Sequence, residues 1–122
     1  MKKLITYAAG AVFLMGSLTA TSAMADGPVQ GAPDCADQLA CIYINSWFQG
    51  KLEHKGAGAP LSNVTYDNIT SSWVNKTYAT GAWYMGFDGS SYCYTMAPRT
   101  PTPVLSSWQN DRLSSWRMTT GC

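Results

Sequence analysis

Two seven-residue stretches of this chain carry one pattern. Asp67-Asn68-Ile69-Thr70-Ser71-Ser72-Trp73 and Asn110-Asp111-Arg112-Leu113-Ser114-Ser115-Trp116 each run Asx, Asx, two variable residues, two hydroxyl residues and tryptophan. The copies start 43 residues apart, at 67 and 110. An internal repeat implies two sister units that bury a face against each other. Asx side chains bond to their own backbone and favour tight turns. Each copy therefore reads as a turn entering a strand, with Trp73 and Trp116 expected at symmetric core positions.

The compartment follows from the N-terminus. Lys2 and Lys3 form a basic head, an apolar run extends from Leu4 to Leu18, and Ser22-Ala23-Met24-Ala25 supplies small residues for cleavage. Residues 1–25 are read as a signal peptide rather than an anchor, because the apolar run is short for a span. The chain is thus expected to be secreted, with no membrane association after cleavage. Cleavage leaves 97 of the 122 residues, enough for one domain. Without Lys2 and Lys3, six basic residues face seven acidic ones, a net charge of −1. No basic run is present, so a nucleic-acid partner is not indicated, and the chain is read as a monomer.

Cys35, Cys41, Cys93 and Cys122 all lie after residue 25. An even count in a small exported chain reads as two disulfides. Three pairings are open, and locality favours Cys35–Cys41 with Cys93–Cys122. A zinc site is a poor alternative, since no CxxC occurs and His54 is the only histidine.

Between these landmarks the chain reads as β structure throughout. Residues 26–34 carry two glycines and two prolines and predict a flexible N-terminal lead. Residues 41–44, 51–54, 61–66, 72–78, 82–85, 91–96 and 116–118 read as strands. Pro98, Pro101 and Pro103 bar residues 98–103 from a central strand and predict a stiff loop or edge. No stretch keeps a 3.6-residue apolar period, so the fold class is all-β, a sandwich rather than an open sheet.

Tyr43-x-x-x-x-Phe48-x-Gly50 resembles the Greek-key signature of βγ-crystallin domains. The family's second signature, Asx-Asx-x-x-Ser/Thr-Ser once per Greek key, is matched by both repeated turns. In the second unit the aromatic–aromatic–glycine spacing is broken. Tyr84 is read there as the first aromatic and Gly89 as the turn glycine of a shortened hairpin. The resemblance implies two Greek keys, about 41–78 and 82–122, forming one disulfide-stabilised sandwich over residues 35–122. The paired cysteines, the 35–50 opening and the 110–118 ending are most similar to peptidase inhibitor family thirty-six, small secreted bacterial inhibitors of which some act on metalloproteases.

The resemblance also carries a calcium expectation. In the family each site takes a hydroxyl and a variable-position carbonyl from one turn and an Asx side chain from the other. The residues this implies are Asn68, Ser71, Asp111 and Ser114, with the carbonyls of Ile69 and Arg112, while Asp67 and Asn110 brace the turns. Calcium takes six to eight oxygens, and about one formal charge per site implies weak binding. The competing reading is that these groups only satisfy turn backbone.

The leading expectation is a secreted peptidase inhibitor that blocks a (metallo)protease, the alternatives being a calcium-binding structural or stress-protective module or a small secreted toxin or antimicrobial on the same fold. An inhibitor needs a loop held rigid before it meets its protease. Pro98, Arg99, Thr100 and Pro101 are the candidate loop, with a plain strand connection as the alternative. Catalysis is not indicated. HExxH and GxSxG are absent, and His54 has no second histidine to work with. Three Asn-x-Thr triplets, at Asn63, Asn68 and Asn75, are read as coincidence. Among the tryptophans, Trp47, Trp83 and Trp108 are less constrained by the repeat, and an exposed pair among them would be a sugar-stacking face.

Overall fold

The computed structural model describes residues 29–122. The signal-peptide reading of residues 1–25 lies outside the described residues, as do positions 26–28 of the lead.

Eight strands form two four-stranded antiparallel sheets. They are β1 (Leu39–Asn45), β2 (Gln49–Gly56), β3 (Ser62–Asn63), β4 (Ser72–Asn75), β5 (Gly81–Tyr84), β6 (Cys93–Met96), β7 (Thr100–Thr102) and β8 (Ser115–Arg117). One sheet runs β2-β1-β4-β7 and the other β3-β8-β5-β6. The third strand of each four-strand unit thus crosses over to the partner's sheet. Two interlocked Greek keys result, as the repeat implies, and no α-helix occurs among the described residues. The proline-bearing strand β7 lies at an edge, where Pro101 leaves no central ladder short of a donor.

The two units share one register. Tyr43 pairs with Ser72 in the first and Tyr84 with Ser115 in the second. Between the sheets lie Ala40, Ile42, Val64, Trp73, Trp83, Met96, Leu105, Leu113, Trp116 and Met118. Trp73 and Trp116 both face this interior, as the repeat predicts. Trp83 is buried with them. Trp47 and Trp108 are 66% and 51% exposed, but no ring contact joins them into one stacking face.

The second hairpin is not shortened. Ser72 Oγ donates to Asn45 O and accepts from Phe48 N, at 2.7 and 3.2 Å. Ser115 Oγ donates to Gly86 O and accepts from Gly89 N, at 2.7 and 3.0 Å. The left-handed backbone positions correspond too: Trp47, Phe48 and Gly50 in one hairpin, Asp88, Gly89 and Ser91 in the other. Gly89 therefore stands in the place of Phe48, and Ser91 in the place of Gly50. The spacing is intact, but its second aromatic has become glycine and its glycine has become serine. Phe48 packs edge-on to Tyr43. In the second unit Leu61 lies 2.9 Å from where a Gly89 Cβ would sit, so its side chain fills the vacated space. At Gly50 (φ +75°) a Cβ would lie 2.4 Å from Ile44 Cγ2, which restricts that position to glycine.

Both expected local disulfides form, Cys35–Cys41 and Cys93–Cys122. Restricting the unfolded chain, each contributes about 2–4 kcal/mol.

From Val29 onward the N-terminal lead is docked, not loose. Strands β1 and β4 carry apolar side chains on their outer face as well, and Cys41, Tyr43 and Val74 there pack under Ala32 and Cys35. Lys76, itself buried, donates from Nζ to Ala32 O and Cys35 O at 2.8 and 2.7 Å. Tyr43 Oη donates to Asp34 Oδ1 at 2.7 Å. Asn75 is fully buried, its Nδ2 facing the carbonyls of Ala79, Met96 and Ala97. A glycan has no room there in the folded chain.

Candidate functional site

The repeated turns come together where the two keys meet. Each holds its second Asx residue in the left-handed region, Asn68 at φ +58° and Asp111 at φ +61°. Asx is among the few side chains that tolerate this conformation. The turns then exchange backbone hydrogen bonds: Asn68 N donates to Leu113 O at 3.2 Å, and Asp111 N to Thr70 O at 2.9 Å. Ser71 N and Ser114 N each donate to the carbonyl of the tyrosine opening their own key, Tyr43 and Tyr84. Two stretches remote in sequence are thereby fixed in one frame.

The side chains cross the same boundary. Ser71 Oγ donates to Asp111 Oδ1 at 3.4 Å. Ser114 Oγ lies 3.3 Å from Asn68 Oδ1 and 3.2 Å from Met85 O, and also contacts Asp67 Oδ1. So Asn68, Ser71, Asp111 and Ser114 pair reciprocally, hydroxyl of one turn to Asx of the other. Asp67 braces across the turns, whereas among the described residues Asn110 is held through its backbone N–H to Ser106 O. The carbonyls of Ile69 and Arg112 accept no hydrogen bond from a described residue.

The proton count at Ser114 decides what this cluster can do. Its hydroxyl has one proton and faces three acceptor oxygens: a carboxylate, an amide oxygen and a main-chain carbonyl. Such an oxygen-rich, proton-poor set is what a hard cation satisfies. Ser71 and Ser114 are buried, while Asn68 and Asp111 are exposed, so the donors line a solvent-open corner. The donor set fits calcium. Among the described residues no group of three His, Cys, Asp or Glu side chains converges, so a thiolate or imidazole metal site does not arise.

Pro98, Arg99, Thr100 and Pro101 lie elsewhere, at the β7 edge of the β2-β1-β4-β7 sheet. Thr100 and Pro101 belong to β7 and pair with Asn75 and Val74. Arg99, at φ +54°, donates its N–H to Thr77 O at 3.1 Å. Its guanidinium turns inward, pairing with Asp37 Oδ1 at 2.9 Å, bonding Lys76 O and covering the Tyr78 ring. The Arg99 hydrogen bond holds the Asp37 carboxyl below its ordinary pKa. Pro98 is exposed and Arg99 only 19% so. His54 is exposed on β2.

Sequence reasoning missed the aromatic group beside the second turn. Arg112 Cζ sits 5.3 Å from the Trp108 ring centre, and Trp108 Nε1 donates to Tyr94 Oη at 2.7 Å. Tyr94 stacks on Trp83 at 4.6 Å, and Tyr92 meets Trp108 edge-on at 5.9 Å. The signal was Tyr92 and Tyr94 two residues apart, one just before β6 and one within it, with Arg112 two residues before Ser114.

No protein-family profile and no curated protein sequence matches the chain. Solved structures do. A βγ-crystallin domain from Flavobacterium johnsoniae superposes with a TM-score of 0.54 at 16% identity, covering 66% of this chain and 92% of that one. A double mutant of a βγ-crystallin domain from Clostridium beijerinckii gives 0.54 at 15% identity over 65% and 93%. A structure bearing on the evolution of the eye-lens βγ-crystallin domain fold gives 0.56 at 18% identity over 73% and 90%. With the crossed strand order and the two joined turns, these likenesses establish the βγ-crystallin fold for this chain.

Proposed function

We propose that this chain is a calcium-binding structural module of the βγ-crystallin type, its two turns each contributing to two shared sites. The observation that carries the reading is the surplus of acceptor oxygens around Ser114 Oγ. Calcium would be held by Asn68, Ser71, Asp111 and Ser114, with Asp67 and main-chain carbonyls such as Met85 O, Ile69 O and Arg112 O adding oxygens. The cation's contribution is charge: it satisfies lone pairs that one hydroxyl proton cannot. Binding at the seam between the keys favours the folded state by mass action. Few formal charges place the affinity on the order of 10⁻⁵–10⁻³ M, in the range of weak sensors and extracellular modules. Titration calorimetry with CaCl₂, alongside melting with and without calcium, tests this. Two sites and a rise in melting temperature are expected, and no heat and no shift at about 10 mM calcium would sink the reading.

A second reading is inhibition of a secreted protease, with Pro98, Arg99, Thr100 and Pro101 occupying its cleft. The pinning of this segment, a turn running into edge strand β7, favours it, because a segment already ordered loses little entropy on docking. Pro98 rather than Arg99 would then lead, since the guanidinium is committed inward. A panel of secreted metalloproteases and serine proteases tests it, with submicromolar inhibition of at least one enzyme expected.

A further inference from the structure

We propose that Trp108 is a positioning residue for the calcium corner: its ring holds the Arg112 guanidinium away from the neighbouring Asp111 carboxylate. The inference rests on the calcium reading above and concerns what keeps the second turn open to a cation.

The difficulty is built into the turn. Arg112 follows Asp111 directly, and its own carbonyl is one of the candidate oxygens. A guanidinium free to fold back would pair with that carboxylate and compete with a metal ion for it. The other turn has Ile69 at the equivalent position and faces no such competition. Yet Arg112 and Asp111 form no ion pair, the side chain instead lying over Trp108.

Trp108 is suited to hold it because it is fixed while still half-exposed. Its indole N–H is tied to Tyr94 Oη, its edge meets Tyr92, and Tyr94 is stacked on the buried Trp83. An aromatic chain thus roots the platform in the core. An exposed cation–π contact and an exposed ion pair are of similar strength, so a fixed ring is enough to decide which one Arg112 makes.

The test is calcium titration of the disulfide-intact protein as wild type, Trp108→Ala, Arg112→Gln and the double variant. Trp108→Ala should weaken one of the two sites about threefold, the effect of one exposed ion pair. Arg112→Gln should bind as well as wild type or better, and the double variant should bind like Arg112→Gln, a non-additive cycle. Melting of the four metal-free proteins separates affinity from fold stability. Should Trp108→Ala fail to fold, Trp108→Leu keeps apolar bulk while removing the π face. In metal-free wild type the Arg112 side-chain protons should show ring-current shifts by NMR that are lost in either Trp108 variant. Equal weakening by Trp108→Ala with or without Arg112 would make the ring a mere structural prop and overturn the proposal, as would unchanged affinity. Wild type that takes up no calcium at all would remove the calcium reading and this inference with it.

Discussion

Ser114 Oγ and Asn68 Oδ1 lie 3.3 Å apart although 46 residues separate them in the chain. Nothing local to either turn produces this contact. It follows from the crossed strand order, which sets each key's third strand in the other key's sheet and carries the turns to one corner. The sharing sets an expectation about charge. Asp67 stands at one site and Asp111 at the other, so Asp67→Asn and Asp111→Asn should each remove about half of the calcium-induced rise in melting temperature. The double variant should lose the rise while remaining folded, as judged by calorimetry in the presence of a chelator.

Thr70 is the one described residue whose buried side-chain oxygen has no hydrogen-bond partner. Its counterpart in the second repeat is Leu113, fully buried in the inter-sheet core. A hydroxyl thus occupies a position that the sister key fills with hydrocarbon. Removing an unsatisfied buried hydroxyl recovers its desolvation cost, about 1–3 kcal/mol. Thr70→Val should therefore raise stability by about 1 kcal/mol, allowing for imperfect packing. Urea unfolding followed by tryptophan fluorescence measures it, and a loss of stability would show that the hydroxyl has a partner after all.

Much of this architecture was legible before any coordinates. The repeated Asx turns announced two keys, Trp73 and Trp116 announced their common interior, and the prolines at 98, 101 and 103 announced an edge. Local cysteine pairing was readable for the same reason, proximity in sequence. What was hidden depended on tertiary context. Gly89 and Ser91 erased the spacing by which the second hairpin would be recognised, though the backbone keeps its shape. The lead from Val29 looked loose because its glycines and prolines dominate its composition. The counter-signal lay in β1, where Ala40, Cys41, Ile42 and Tyr43 are apolar on both faces and demand cover on both. At the corner, the sequence supplied the oxygens, but their shortage of protons appears only once Met85 O is placed beside Ser114.

Lys76 is the clasp of that cover. Its buried ammonium is satisfied by two main-chain carbonyls, Ala32 O and Cys35 O, with no carboxylate involved. Lys76→Met keeps the aliphatic stem but leaves Cys35 O without a donor and Ala32 O with only the Cys35 N–H at 3.0 Å. Hydrogen bonds to charged groups are worth about 1.5–3 kcal/mol each, offset here by no longer burying a charge. A net loss of about 2 kcal/mol is expected. Limited proteolysis should also find new cleavage between residues 29 and 35, whereas an unchanged digestion pattern would mean that the Cys35–Cys41 bridge alone holds the strap.

The same strap sets the alkaline limit of the fold. Tyr43 is buried beneath it, and burial, with the hydrogen bond to Asp34 second, pushes its phenol well above the ordinary tyrosine range. In the unfolded chain the phenol ionises near pH ~10, while in the folded chain it stays protonated. Above that pH the unfolded state therefore binds fewer protons than the native one, and stability falls as pH rises. Below it both states are protonated and the group contributes no slope. Melting temperature should accordingly be level from neutrality to about pH 9 and decline beyond it. Tyr43→Phe cannot ionise, so its decline should be shallower even though its neutral-pH stability is lower by about 1 kcal/mol for the lost hydrogen bond. Parallel pH–melting curves for the two proteins would place the alkaline transition on another group.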